Sequence, residues 1–473
     1  MPNFESYARV KPAFRSFNPA SGDADSYSQE LSSIANDSWH LYNNFAIAQG
    51  IVAKTVTTVV GAGLKFTPII DRNVLGMSKK EAEAWQKDVR VRFDTWASSK
   101  EADHYRLANF YQLQVEALTT MMVDGDALGI LTTAKRYGVP EALTVKLIEG
   151  RQLDSNKTEG FSEKIVGGVE YGVSGVTAYH ILNRHPNSLY GNTSFTSTRI
   201  KAYSGIRKNI AHLMQKKRAG QRRGLSILAP VIEELLQLKR MTEAELTSVI
   251  TTSMMVAFIK TDRSFEDIDG DGAADSNYDS DNNEYKLGNG TIIRLDVGES
   301  IDVLDPKRRN DTFVPFYNKM VETVAAATQI PPEVIFGKFD SSYSASRGAL
   351  LEFWKTVKVA RANIASDFSG VVYETWLLEE IARDRIRAEG FLTDYAKRKA
   401  YCGGIWVGEG QGLLNPVNEV SAAVNAIDNQ LSTRTQETRK LNGGDFDKNM
   451  DQLEEEKAML EAVYGVDDET GSD

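Results

Sequence analysis

The segment Ile330-Pro331-Pro332-Glu333-Val334-Ile335-Phe336-Gly337, followed by Ser341-Ser342-Tyr343-Ser344-Ala345-Ser346-Arg347, constrains this chain more than any other. A proline lacks the amide proton that a helix interior needs, and its ring clashes with the preceding turn, so the pair Pro331-Pro332 ends whatever helix reaches it. Downstream, the run from about Ser344 to Phe368 has no proline and no glycine after Gly348, which predicts one long helix. Leu350, Trp354, Val357, Ile364 and Phe368 mark one face of it, with Phe353 and Val359 widening that face. The layout is two rods joined by a hydroxyl-rich loop. Helices of this length exceed the average of about 11–12 residues and need neighbours over their apolar faces. The neighbours can be a core within one chain or adjoining subunits of a ring, and the pattern alone leaves both open.

At 473 residues the chain has room for two or three domains, or for one large protomer with appended modules. Its 41% hydrophobic and 25% charged residues describe an ordinary globular protein. The best candidate for a membrane span, Ile51 to Leu64, is interrupted by Lys54 and by glycines and threonines. Residues 1–22 carry Arg9, Lys11 and Arg15 but no apolar core of a secretory signal. Cys402 is the one cysteine, so no intrachain disulfide forms and a reducing compartment fits. The net charge of −10 is unevenly spread. From Asp445 to Asp473 eleven acids face Lys448 and Lys457, a net of −9 that leaves about −1 for residues 1–444. A sequence-specific DNA binder carries a domain-wide basic excess, and this chain does not.

The first 200 residues read as mixed α and β. Leu41, Phe45, Ala48, Ile51 and Val52 predict a helix from Ser38 to Val60, stopped at Gly61-Ala62-Gly63. Ser78 and Glu81 form a capping box ahead of a helix reaching Trp96, and a further helix runs from Asn109 to Asp124, ended by Gly125. Strands are expected at Ala127–Thr133, Leu143–Glu149 and within Gly167–Asn183. A helix opened by Ser226 and Pro230 runs to about residue 255, where some 25 residues make a rod of about 40 Å. Strands at Thr291–Leu295 and Ser300–Leu304 follow, then a helix over Asp311–Thr328.

Motifs for catalysis are missing. The chain has no phosphate-binding G-x-x-x-x-G-K-[ST] loop, no G-x-S-x-G elbow and no H-E-x-x-H helix, and His40, His104, His180, His185 and His212 are dispersed. A chain of this kind is not expected to be an enzyme. The loop 267–281 places Asp267, Asp269, Asp271 and Asp275 at positions 1, 3, 5 and 9 of a calcium-type loop, with Gly272 at position 6. Position 12 is Tyr278 rather than a bidentate glutamate, so calcium binding and a solvated insertion weigh equally. The basic run Lys216-Lys217-Arg218-Ala219-Gly220-Gln221-Arg222-Arg223-Gly224 reads as a phosphate site, a solvated loop or a constrained turn. In the loop before the long helix, Lys338, Ser341, Ser342, Tyr343 and Ser344 offer weak contacts to phosphate oxygens that read no bases. Helix capping is the other reading of those serines.

Several blocks, in order, resemble the lambda family of tailed-bacteriophage portal proteins. They are Val59-Val60-Gly61-Ala62-Gly63-Leu64, Met122-Val123-Asp124-Gly125-Asp126-Ala127, Leu147-Ile148-Glu149, Gly167-Gly168-Val169-Glu170-Tyr171 with Ala178-Tyr179-His180, Arg218 through Ser226, and the proline-bounded loop itself. Leu414-Asn415-Pro416-Val417-Asn418-Glu419 stands where the family often has Asp-Pro, so Asn415 departs from it, as does the insertion near Asp267. The resemblance implies a helix-rich α+β portal fold of wing, stem, clip and crown, assembled as a dodecameric ring. By it, residues 1–25 are an arm expected to be disordered, 26–223 the wing, 224–255 and 311–330 the stem helices and 256–310 the clip. Residues 331–344 are the turn and tunnel loop, 345–370 the crossing helix, and 371–473 the crown and acidic tail. The implied function is passage of double-stranded DNA, without sequence specificity, at one capsid vertex. Lys307, Arg308 and Arg309 of the clip would dock the terminase and then the head–tail adaptor, and capsid or scaffold protein would surround the ring. Such a subunit assembles in the host cytoplasm, ends in the virion, touches no membrane and needs no cofactor, calcium at 267–281 being optional. The competing expectation is a calcium-binding, helix-rich scaffold with no DNA channel.

Overall fold

The computed structural model describes residues 30–157, 165–173, 175–188, 195–253, 257–261, 299–303, 312–339, 342–412 and 415–464. Residues 1–25, Ser341, Asp267, Asp269, Asp271, Asp275, Lys307, Arg308, Arg309 and the strand expected at Thr291–Leu295 lie outside them. Two compact units emerge, one of Met1–Leu236 with Lys319–Asp473 and one of Gln237–Asn318.

In chain order the first unit begins with α1 (Leu31–Asn44), α2 (Ala46–Val59), β1 (Lys65–Pro68), α3 (Arg72–Leu75), α4 (Lys79–Ser98) and α5 (Phe110–Asp124). The single helix expected over 38–60 is in fact two, because Phe45 is extended at φ −136° and ψ 115°. Asn44 turns its side-chain amide onto the His40 carbonyl at 2.9 Å, a local bond that competes with the next helical turn. The Ser78–Glu81 capping box forms as read, with Glu81 N–H donating to Ser78 Oγ and Ser78 N–H to Glu81. A second one, Asn109–Gln112, opens α5.

Strands follow as β2 (Asp126–Thr133), β3 (Leu143–Glu149), β4 (Ile165–Val166), β5 (Val169–Gly172), β6 (Gly175–Leu182), β7 (Ser197–Lys201), β8 (Tyr203–Ser204), β9 (Arg207–Lys208) and β10 (Ile210–Met214). They pair antiparallel as β10-β2-β3 and β4-β5-β6-β7, with β8-β9 a separate hairpin. Leu128, Ile130, Ile148, Val169, Tyr179, Ile181 and Ile210 fill one buried cluster contributed by the two larger sheets. Next come α6 (Ile232–Ser253), β11 (Ala257–Thr261), β12 (Glu299–Val303) and α7 (Phe313–Thr328). β11 and β12 pair antiparallel within the second unit, Ala257 opposite Val303.

The chain ends with α8 (Pro332–Phe336), α9 (Tyr343–Ile364), α10 (Gly370–Ala382), α11 (Tyr395–Tyr401), β13 (Gly404–Val407), α12 (Pro416–Asp428), α13 (Arg434–Asn442) and α14 (Phe446–Tyr464). A π-turn over Ala365–Ser369 joins α9 to α10, so the long helix predicted to stop at Phe368 continues to Ala382. Its extra residue per turn lays Phe368 parallel to Phe110, centroids 6.1 Å apart. Gly129 of β2 makes the room, since a Cβ there would stand 2.9 Å from the Phe368 ring. Phe353, Val357 and Ile364 are buried as expected, but Val359 is 61% exposed. Trp354 is half-buried, its ring covered by the Arg361 guanidinium at 5.0 Å. β13 pairs with β1, bringing Trp406 onto Phe66 beside Phe93, Phe110, Tyr373 and Trp376 in an aromatic core.

Candidate functional site

Three of the blocks quoted from the sequence, 122–127, 167–171 and 218–226, meet in one buried polar knot. Asp126, fully buried at the start of β2, accepts from Arg223 Nε at 2.7 Å and from the Gly224 amide at 2.7 Å, and pairs with His212 Nε2 at 2.9 Å. The Arg223 guanidinium also donates to the carbonyls of Gly167 at 2.6 Å and Gly150 at 2.8 Å. Burial pushes the Asp126 carboxyl up, but the Arg223 charge and the His212 hydrogen bond outweigh it and hold the group at about 2. Two residues earlier, Asp124 accepts from Trp39 Nε1 at 3.1 Å and from the Arg151 amide at 2.8 Å. Burial dominates there and lifts it to about 6 against the pull of Arg151. Nearby Glu170 is gripped by Arg199 and His180, which hold it at about 2.

This knot settles the basic run as a constrained turn. Gln221 is buried, accepting from the amides of Lys217 and Arg218 and donating to the carbonyls of Gln215 and Arg223. Arg222 lies 4.7 Å over the Tyr171 ring. Gly125 at φ 97° and Gly224 pass back to back, and a Cβ on Gly224 would fall 1.9 Å from the Gly125 carbonyl oxygen. The buried Asp126–Arg223 pair and two glycines thus pin the segment that leads into α6. The sequence displayed all these residues without revealing that they meet.

The proline elbow lies in the first unit. α7 closes with Gln329 in the left-handed region, φ 59°, and the Ile330 amide bonds back to the Ala325 carbonyl at 3.2 Å. Pro331 is then the N-cap of α8, which Gly337 ends at φ 65°. Lys338 and Phe339 are exposed. Ser342 is the N-cap of α9, its hydroxyl accepting from the Ala345 amide at 3.4 Å, and Ser344 is exposed in the first turn. α2 packs on both α8 and α9, and Arg361 of α9 closes the end of α2 by donating to the Val59 and Thr58 carbonyls at 2.7 and 2.9 Å. Arg361 gave no sign of this role in the sequence, because its acceptors are backbone atoms three hundred residues away. Among the described residues no cluster of His, Cys, Asp or Glu could hold a metal ion, and no helix is long and apolar enough to cross a membrane.

An α+β, helix-rich subunit with an elbowed long helix and uncovered rods is the class this architecture defines. Residues 11–361 match the model of the lambda family of phage portal proteins, and the chain belongs to that family. It is a portal subunit of a phage virion, serving DNA packaging. The portal protein of Escherichia phage N15 is 21% identical over 464 residues, 91% of this chain and 85% of that one. Portal protein B of Escherichia phage lambda is 20% identical over 415 residues, 82% of this chain and 76% of that one. Among solved structures, a chain from the neck of a native GTA particle computed with C12 symmetry overlaps with a TM-score of 0.48 at 12% identity, covering 87% of this chain and 92% of that one. One from the neck of an empty GTA particle computed with C6 symmetry overlaps with 0.47 at 14% identity, over 77% and 92%. The family match ends within α9, so α10 to α14 lie beyond it.

Proposed function

We propose that copies of this chain join side by side into a closed ring, twelve by the family resemblance, around a channel for double-stranded DNA. The observation that carries this reading is the uncovered apolar surface of the rods. Ile232 and Leu235 of α6 are buried, yet Leu246, Val249 and Ile250 are about half exposed, as are Val314 and Phe316 of α7. Apolar stripes on long helices call for a partner surface, and a ring supplies it through one heterologous contact repeated around the axis.

In this arrangement residues 224–255 and 311–330 are the stem and 256–310 the clip, whose Lys307, Arg308 and Arg309 meet acidic surfaces of the terminase and later of the head–tail adaptor. The 331–344 segment lines the channel with Lys338, Ser341, Ser342, Tyr343 and Ser344. Few phosphate contacts suit it, since each neutralised phosphate deepens binding and would stall sliding. The acidic tail repels the packaged genome. The subunit is structural and non-catalytic, and the energy for translocation comes from a separate motor. Calcium at Asp267, Asp269, Asp271 and Asp275 would stiffen the clip, and calorimetry with calcium tests that part alone.

Lys338→Glu is the direct test. It should leave assembly unchanged by mass photometry and lower the yield of packaged DNA. Loss of assembly in that variant would show that the loop supports the protomer rather than the channel.

A further inference from the structure

Two features of the first unit leave apolar side chains partly exposed within one copy, and they match each other. The first is a recess of about 370 Å³ lined by α9, β13 and α13. Trp354, Ile405 and Trp406 give it an apolar lining, and Ile405 is 42% exposed. Lys358 and Arg439 stand in the same lining, and among the described residues neither side chain makes a hydrogen bond or ion pair. Arg361 and Lys440 add positive charge, although Arg361 already donates to backbone carbonyls and Lys440 to Glu437. Among the described residues of that lining Glu409 is the one acid.

The second is α14. Phe446, Met450, Leu453, Lys457, Leu460 and Tyr464 alternate four and three residues apart, which places these positions on one stripe. Met450, Leu453 and Leu460 are each about half exposed. Glu454, Glu456 and Glu461 flank the stripe on both sides, as helical spacing dictates. Within its own copy the helix is held along α4 by Arg90–Asp445 at 2.6 Å and Lys87–Asp451 at 3.9 Å.

We propose that α14 of one copy seats its Met450–Leu453–Leu460 stripe in the Trp354–Ile405–Trp406 recess of a neighbouring copy, with its glutamates set against Lys358 and Arg439. The mode is an amphipathic helix in a groove. Pairing of α14 with another α14 would oppose acidic flanks, whereas the recess presents the opposite sign. The inference rests on the ring reading and deepens it by naming a contact between subunits.

A photoreactive benzoylphenylalanine in place of Leu453, in the full chain mixed with ¹⁵N-labelled copies, tests it by mass spectrometry of the cross-links. The expected products join labelled and unlabelled chains and map to residues 354–361, 405–411 or 436–440. Cross-links within one copy, to another α14, or to DNA or other head proteins in assembled particles would overturn the proposal. As a second measure, the pair Lys358→Glu/Arg439→Glu and the pair Glu454→Lys/Glu461→Lys should each raise the concentration for half-assembly by about tenfold, and their combination should recover most of it. Circular dichroism confirms that the variants fold. Intact rings in every variant defeat the proposed seat alone, whereas a wild type that never forms rings defeats the ring itself.

Discussion

Arg223 shows how a residue's role depends on what lies far from it in the chain. In the sequence it belongs to a basic run; in the fold its partner Asp126 comes from ninety-seven residues earlier and both are buried. Removing one member of a buried pair strands the other charge, so Arg223→Ala should cost about 3–5 kcal/mol in chemical denaturation. Gly224→Ala should destabilise by about 1–3 kcal/mol or more, because the added carbon meets backbone that cannot move aside. The two aspartates of the knot respond oppositely to acid. Asp126, held near 2 against an ordinary 3.8, takes its proton first in the unfolded chain. Its stabilisation is present above about pH 4, is lost as pH falls toward 2, and amounts to about 2 kcal/mol. Asp124, lifted to about 6, is protonated first in the folded chain, so its contribution is present below about pH 4 and lost as pH rises through 6. Melting curves from pH 6 to 2 should show the wild type losing stability below pH 4 more steeply than Asp126→Asn. Equal slopes would mean that Asp126 keeps no depressed carboxyl.

Among the elements, those with local signals were read closely from the sequence and those governed by distant contacts were not. The capping box at Ser78, the helix from Asn109 with its stop at Gly125 and the strand Leu143–Glu149 depend on neighbours within a few residues. The break at Phe45 and the continuation past Phe368 do not. Phe368 holds the π-turn by stacking on Phe110 over Gly129, three segments that no local pattern connects. Phe368→Ala should therefore cost about 3–5 kcal/mol, and Trp354→Ala, half-exposed under Arg361, clearly less. Thermal or denaturant unfolding of the two variants orders them, and the reverse order would mean the crossing helix is anchored through Trp354 instead. The hydroxyls of the loop before α9 carried two readings, and Ser342 shows that capping is one of its uses.

For the molecule as a whole, belonging to the portal family was visible in the collinear blocks, and the fold brings several of those blocks together. Asp124, Asp126, Glu149, Gly167 and Arg223 all meet in or beside one knot ahead of α6. What the sequence left open, core or ring, turns on exposed surface that only a fold can reveal. Leu246, Val249, Ile250, Val314 and Phe316 are each about half exposed in the single chain. Electron micrographs of the purified full-length protein, class-averaged along the particle axis, address that choice directly. Closed rings of identical subunits with a central hole are the predicted result, and a discrete monomer at every concentration and ionic strength would contradict the account.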